Sequence, residues 1–216
     1  MRDAFHNELD SLDQEIVRMG ALVERYAQMA TTALIEGDKA LAQKAYDGDD
    51  EIDALFLDIE RRCLILLAQQ APVASDLRLI VVILRVVNDL ERAGDLAHNI
   101  AKLALSDEFR QPAPKVVRAL VVEMGEAAGR LMGMAIDAWA KKDEVLAKEI
   151  THQDDLLDEL HARLIRDLME LKGEDLLASV ISLVMVGRYF ERIGDHAVNM
   201  GERIRYYVTG DDEHLG

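Results

Sequence analysis

Apolar residues recur every three or four positions along most of this 216-residue chain, which is the spacing of one helix face. No segment shows the alternation of apolar and polar residues that a half-buried strand requires. In the first half the pattern predicts helices over about 5–36, 38–70 and 76–105, separated by Gly37–Asp38 and by Pro72. The predicted apolar stripes are Leu9, Leu12, Ile16, Met19, Val23, Tyr26 and Ala30; Leu41, Ala45, Ile52, Phe56, Ile59, Cys63 and Leu66; and Leu77, Val81, Leu84 and Val87.

The second half of the chain repeats the first. Residues 19–55 align with 124–160 at an offset of 105, and the motif ERAGD at 91–95 aligns with ERIGD at 191–195 at an offset of 100. Five residues were therefore lost between the two aligned blocks of the second copy.

The repeat predicts an all-α fold of two tandem three-helix bundles, with six long helices in total. The first repeat is expected over 1–108 and the second over 109–216, divided within the proline-containing segment 106–114. Gly48 inside the second helix costs about 1 kcal/mol relative to alanine, which marks it as the place for a bend.

Composition narrows the classes of partner. Lys and Arg number 25 against 41 Asp and Glu, a net charge of −16, which opposes binding to nucleic acid or to anionic membranes. The longest apolar runs fall far short of the roughly 20 residues of a membrane span, and the N-terminal stretch lacks the apolar core of a signal peptide. The single cysteine excludes an internal disulfide. We therefore expect a soluble, cytoplasmic protein without direct membrane insertion.

Four carboxylates should face one another where the second and third helices pair. Asp49 and Asp53 lie four residues apart on one helix, and Glu91 and Asp95 lie four apart on the next. In an antiparallel hairpin, residues at equal height have position numbers of constant sum, and both cross-pairs of this first carboxylate set sum to 144, centred on Pro72. The second copy keeps its own pairs level around a turn between 174 and 175. This second carboxylate set is Asp154, Asp158, Glu191 and Asp195.

Acidic pairs are common in a chain with 41 acidic residues, and a solvated surface is the simplest interpretation of any one of them. Four converging carboxylates beside an apolar stripe must instead be protonated, paired or bound to metal. Arg92 and Arg192 offer one partner for each set, and Asn99 and Asn199 are either further oxygen ligands or surface groups. The sequence favours metal sites for Mg, Mn or Fe, with Ca or Zn less expected. An electrostatic dock for a basic partner surface is the other open interpretation.

A carboxylate-bridged metalloenzyme or metal-storage bundle is the rival hypothesis. Di-iron bundles use Glu-x-x-His on two helices, and no such motif is expected here. His98 and His196 are not repeated in the other copy, so both are interpreted as ordinary polar residues, and Cys63 as a small core residue. There is no catalytic triad pattern or phosphate-binding glycine loop, so no enzyme activity or catalytic residue is expected.

Two segments resemble the signatures of a known family. The stretch QQAPVASDLRLIVVILRVVNDLERAGDLAHNIAK at 69–102 resembles the central signature of the PhoU family of phosphate-uptake regulators, and GRYFERIGDHAVNMGERI at 187–204 is similar to its other signature. The resemblance covers essentially the whole chain. The second copy departs from the pattern in having LKGEDLLAS in place of the APVASDLR turn.

The resemblance implies two PhoU repeats in a six-helix protein that forms a homodimer and has no enzyme activity. It implies an adaptor that holds down the phosphate-starvation response by acting with a sensor histidine kinase and with the ATPase of the phosphate ABC transporter. The resemblance also implies metal binding, since in several members of the family the paired acidic motifs hold multinuclear metal clusters or single Mg or Mn ions. They correspond here to Asp49, Asp53, Glu91, Asp95, Asp154, Asp158, Glu191 and Asp195.

Overall fold

The computed structural model describes residues 2–106, 114–172 and 177–211, and every regular element in these ranges is a helix. The all-α prediction is confirmed, with one predicted helix divided in two. The elements are α1 (Arg2–Glu36), α2 (Lys39–Asp47), α3 (Asp49–Gln70), α4 (Ala74–Leu105), α5 (Lys115–Lys141), α6 (Glu144–Met169) and α7 (Leu177–Thr209).

Two sequence predictions fall on parts of the chain outside these ranges. The boundary between the repeats, 108/109, lies outside the described residues and stays a prediction. The centre of the second turn, between 174 and 175, also lies outside them. None of the helices that the structure describes combines the length and the hydrophobicity needed to cross a membrane.

The turn after the first helix of each repeat is built from the same local chemistry. Gly37 takes a left-handed conformation, φ +72°, and the Asp38 side chain then caps α2 by accepting from two backbone N–H groups. In the second repeat Lys142 adopts the left-handed position, φ +52°, and Asp143 caps α6 in the same way. The sequence predicts the first turn at Gly37–Asp38, and the repeat offset of 105 places the second at Lys142–Asp143, as the structure shows.

The bend predicted at Gly48 is a complete break that separates α2 from α3. The Tyr26 ring of α1 occupies the space that a Cβ at Gly48 would need. A glycine is therefore required where α1 packs this closely against the second helix. The equivalent helix of the second repeat, α6, is continuous.

The inner layer of the molecule consists of α1, α4, α5 and α7, which pack against one another across the two repeats. The outer helices α2 and α3 lie on α1 and α4, and α6 lies on α5 and α7. Contacts pair Arg78 with Tyr207 and Asp89 with His196, so α4 and α7 run antiparallel. All buried apolar residues of the described chain form one core.

The predicted stripe of α4 needs correction. Leu77 is 40% exposed, and the buried face is instead formed by residues such as Ile80, Ile83 and Leu90. The reason is that α4 packs against both its own repeat and α7, so its buried face is wider than one stripe. The helix also begins at Ala74, two residues before the predicted start.

Candidate metal centres

The four residues of the first carboxylate set lie on α3 and α4. Asp49 and Glu91 are half-buried, whereas Asp53 and Asp95 are exposed. Asp49 and Glu91 are each influenced electrostatically by Asp53 and Asp95, so the four carboxylates lie within range of mutual repulsion.

The glycine of the ERAGD and ERIGD motifs lets each helix pair approach closely. A Cβ at Gly94 would lie 3.0 Å from Ile52 Cδ1 of α3. A Cβ at Gly194 would lie 2.5 Å from Asp154 Oδ1 and 2.7 Å from Leu157 Cδ2 of α6. The motif therefore supplies two carboxylates and, between them, the small residue that brings them against the facing acidic pair.

The break at Gly48 changes the environment of the first set only. It places Asp49 in the first turn of α3, together with Asp50 and Glu51. Free backbone N–H groups and the helix dipole favour negative charge at that position. Asp154, the equivalent of Asp49, lies within the continuous α6 and receives no such support.

Burial and mutual repulsion disfavour ionisation in the first set. Burial raises the pKa of Asp49, and the neighbouring Asp53 and Asp95 raise it further, while His98 lowers it. Burial and then the nearby carboxylates likewise raise the pKa values of Glu91 and Asp95. Negative charge at this site is therefore costly without a cation.

The rise in carboxylate pKa is larger in the second set. Burial, followed by the charges of Asp158, Asp195 and Glu191, raises the pKa of Asp154 to about 6 from the ordinary 3.8. The folded protein thus retains this proton at pH values where the unfolded chain has lost it. Ionisation of Asp154 as the pH rises from about 4 to 6 therefore makes the metal-free folded state less stable.

Each carboxylate set has a histidine beside it, which the sequence analysis missed. His98 Nδ1 lies 3.2 Å from Asp49 Oδ2 and 3.2 Å from the Tyr46 carbonyl oxygen, and its ring packs on Tyr46 at 4.1 Å. His98 is therefore a polar residue that contacts the first carboxylate set, which its absence from the second copy did not reveal. His161 of α6 is near enough to lower the pKa of Glu191.

The two histidines occupy different positions in the two repeats. His161 corresponds to Phe56 in the first copy and His98 to Val198 in the second, so a comparison of the copies could not reveal either. A signal was available in the helix register, because His161 lies opposite Gly187, one turn from Glu191. A Glu-x-x-His motif does occur at Glu149 and His152, but both side chains are exposed.

The arginines do not pair with the carboxylates as the sequence suggested. Glu191 forms an ion pair with Arg188 through Oε1, whereas its buried Oε2 has no hydrogen-bond partner among the described residues. Arg92 lowers the pKa values of Glu91 and Asp95 from a distance, without an ion pair. Arg192 forms no ion pair with either set among the described residues and lines a groove between the repeats that also reaches Glu91 and Asp95.

His196 and Asn199 belong to a buried polar cluster that links the repeats. His196 Nδ1 lies 3.1 Å from Asp89 Oδ1, and Asn199 Nδ2 donates to the same oxygen at 3.4 Å. Arg203 Nε lies 3.0 Å from Asp89 Oδ2, an ion pair by distance although the N–H does not point at the oxygen. Neither His196 nor Asn199 is therefore an ordinary surface group, and Asn199 is not a ligand candidate in this arrangement. Asn99 lines a groove with Glu91 and Asp95.

The donor chemistry of both sets fits a hard cation, since carboxylate oxygens dominate and one buried oxygen of Glu191 lacks a partner. In the part of the chain that the structure describes, however, no three acidic, histidine or cysteine side chains converge tightly enough to hold one ion. Binding would require rotation of these side chains or bridging water molecules. Cys63 is not a donor candidate, because it is fully buried and burial raises the pKa of its thiol to about 12.

Comparisons with known proteins place the chain in a family. The model of the PhoU domain matches residues 16–104 and again 121–204, once in each repeat. The phosphate-specific transport system accessory protein PhoU homolog of Pseudomonas putida is 37% identical over 98% of this chain and 84% of its own length. The PhoU accessory protein of Escherichia coli is 34% identical over 98% of the chain and 88% of its own length.

Solved structures agree with the sequence comparison. The crystal structure of PhoU from Pseudomonas aeruginosa matches with a TM-score of 0.89 and 34% identity, over 96% of this chain and 100% of that one. The phosphate transport system regulatory protein PhoU from Streptococcus pneumoniae matches with a TM-score of 0.85 and 28% identity, over 96% and 98%. The resemblance seen in the sequence is confirmed: the chain belongs to the PhoU family, with one PhoU domain in each repeat.

Proposed function

We propose that this protein is a non-enzymatic accessory protein of a phosphate transport system, and that it represses phosphate uptake and the phosphate-starvation response. The observation that carries the proposal is similarity along 98% of the chain to proteins named as phosphate-specific transport accessory proteins. We further propose that it acts in the cytoplasm as a homodimer. Its partners would be the ATPase of a phosphate ABC transporter and a sensor histidine kinase.

Deletion of the gene in its host tests the regulatory role. We expect phosphate-starvation genes to be expressed in high phosphate when the protein is missing, because the repressing adaptor is lost. Transcript levels in high and low phosphate measure this, with the wild-type gene restored on a plasmid as the control. Continued repression in the deletion strain would contradict the proposal.

The metal part of the proposal rests on the raised carboxylate pKa values and the oxygen donor set. Asp49, Asp53, Glu91 and Asp95 would hold Mg, Mn or Fe in the first repeat, with His98 orienting Asp49. The second carboxylate set would do the same in the second repeat. A bound cation would offset the repulsion among the carboxylates and would link α3 to α4 and α6 to α7.

Neutralising the α4 and α7 acids should abolish metal binding. We expect Glu91→Gln/Asp95→Asn and Glu191→Gln/Asp195→Asn to weaken Mn binding at the altered site by about 100-fold or more, since even residues that only support ligands cost 10–100-fold. Calorimetric titration of metal-free protein with Mn, together with metal analysis of purified protein, measures the change.

The matched control is Asp50→Asn/Asp155→Asn, which also removes two charges in total, one from an exposed position beside each set. Equal loss of affinity in the control would indicate a general charge effect. Metal content unchanged in all variants would instead support an electrostatic dock. Appreciable oxidase turnover of the iron-loaded protein would contradict the non-enzymatic role.

A further inference from the structure

The antiparallel packing of α4 and α7 creates a groove with a charge opposite to that of the protein as a whole. Its volume is about 510 Å³, and four of its lining residues are arginines, Arg85, Arg92, Arg192 and Arg203. Asp89 is the only acidic residue among the described residues that line it, in a chain whose net charge is −16. The adjoining part of the groove reaches Glu91 and Asp95 of the first carboxylate set.

Helical spacing explains how the arginines come together. Arg85 and Arg92 lie seven residues apart on one face of α4, with Asn88 between them, and Arg192 and Arg203 lie on the facing side of α7. Arg92 and Arg192 are equivalent positions of the two repeats, so the antiparallel pairing of α4 with α7 brings the two copies of one residue to the same groove.

Among the described residues, three of these guanidinium groups form no ion pair, although Arg92 interacts electrostatically with Glu91 and Asp95. The fourth, Arg203, has its Nε 3.0 Å from Oδ2 of the buried Asp89. Asp89 also accepts a hydrogen bond from Asn199. Within the described chain, Arg85, Arg92 and Arg192 have no ion-pair partner, and Arg85 and Arg192 are half-buried. Like charges held together beside a low-dielectric core repel one another, so an anion between them would stabilise the arrangement.

We propose that this groove binds a phosphate-class oxyanion, either free or carried as the phosphoryl group of a larger molecule. Guanidinium groups donate in a planar fork that suits phosphate oxygens, and donors from two helices can reach several oxygens of one tetrahedral anion. The overall negative charge does not prevent this, because at about 0.1 M salt it is screened over roughly 10 Å. The proposal goes beyond the accessory role and requires no metal.

The test is calorimetric titration of the full-length protein, freed of metal by a chelator, with inorganic phosphate and separately with O-phosphoserine, in about 0.1 M salt. We expect saturable binding with a dissociation constant below about 10 mM. Arg85→Gln/Arg192→Gln should weaken it at least about tenfold, because two charge-assisted donors are lost. Arg92 is kept because it influences Glu91 and Asp95, and Arg203 is kept because it partners Asp89.

Arg130→Gln is the matched control, since Arg130 is an exposed arginine of α5 outside the groove. It should change the affinity less than about twofold. Thermal melting followed by circular dichroism checks that both variants are folded. Whichever ligand binds more tightly identifies the source of the anion, and either result supports the proposal.

Three outcomes would overturn the assignment. The first is the absence of saturable binding to the wild-type protein. The second is an equal loss of affinity in the groove variant and in the control. The third is binding that appears only after metal is added and disappears in Glu91→Gln/Asp95→Asn. The metal proposal is measured separately by Mn titration, so its failure would leave this result unaffected.

Discussion

Replacing Asp89 by alanine is expected to lower the free energy of unfolding by about 3–5 kcal/mol. Asp89 is 4% exposed and contacts His196, Asn199 and Arg203 across the interface between the repeats. Its removal leaves the largely buried guanidinium of Arg203 without its carboxylate, and two further polar side chains without their acceptor. Urea unfolding followed by circular dichroism measures the loss.

Asp10→Ala is the appropriate control, because Asp10 is an exposed aspartate inside α1 and has no ion pair with any described residue. Its expected effect is within about 0.5 kcal/mol. Similar stabilities for the two variants would show that the polar cluster contributes nothing net to the interface. That result would contradict a stabilising role for Asp89.

Replacing Gly201 by alanine should destabilise the protein by about 1–3 kcal/mol, although alanine is the better helix former. The added Cβ would lie 2.7 Å from the backbone oxygen of Ala147 in α6 and 3.3 Å from Ile150 Cδ1. A backbone atom cannot rotate away as a side chain can, so α6 and α7 must separate by several tenths of an ångström. Thermal and urea unfolding measure the change.

Gly129→Ala is the matched substitution with the opposite expected sign. Nothing lies within 4 Å of a Cβ at Gly129, so only helix propensity acts and the protein should gain up to about 1 kcal/mol. Equal stabilisation by both substitutions would show that α6 does not pack closely against α7 at Gly201.

Much of the fold followed from local pattern and from the repeat. The turns at Gly37–Asp38 and Lys142–Asp143 were predictable because cap residues act within a few positions of one another. The equal height of the carboxylates on paired helices was predictable, because the turn of a helical hairpin fixes which residues lie opposite one another. The full break at Gly48 was not, since a glycine within the pattern indicates only a possible bend, and the Tyr26 ring that packs against Gly48 belongs to a different helix.

Contacts between the repeats could not be predicted from either copy alone. Asp89, His196 and Arg203 have Tyr189, Leu96 and Leu103 as their equivalents, so the cluster exists only where the copies differ. In a chain with 41 acidic residues, nothing local distinguishes the buried Asp89 from exposed acids. Complementary differences between the copies, an acid in one and a base in the other, were the available signal.

The side chains around the candidate metal centres could not be predicted from one copy alone either. The carboxylates were singled out by spacing, and in the structure the members of each set interact electrostatically without converging on one ion position among the described residues. The contact between His98 and Asp49 passes unnoticed in a search for repeated residues, because each copy has its histidine at a different height. The two sites share their acids and differ in their neighbours, so their affinities for a given ion should differ as well.

The inner layer of four helices also determines how the molecule folds. α4 and α7 bury their faces against each other, as do α1 and α5, so neither repeat has a complete core by itself. We therefore expect the two repeats to unfold together in one transition and not as two independent modules. A substitution that destabilises one repeat should therefore destabilise the whole chain. A partner that binds to either repeat should stabilise both.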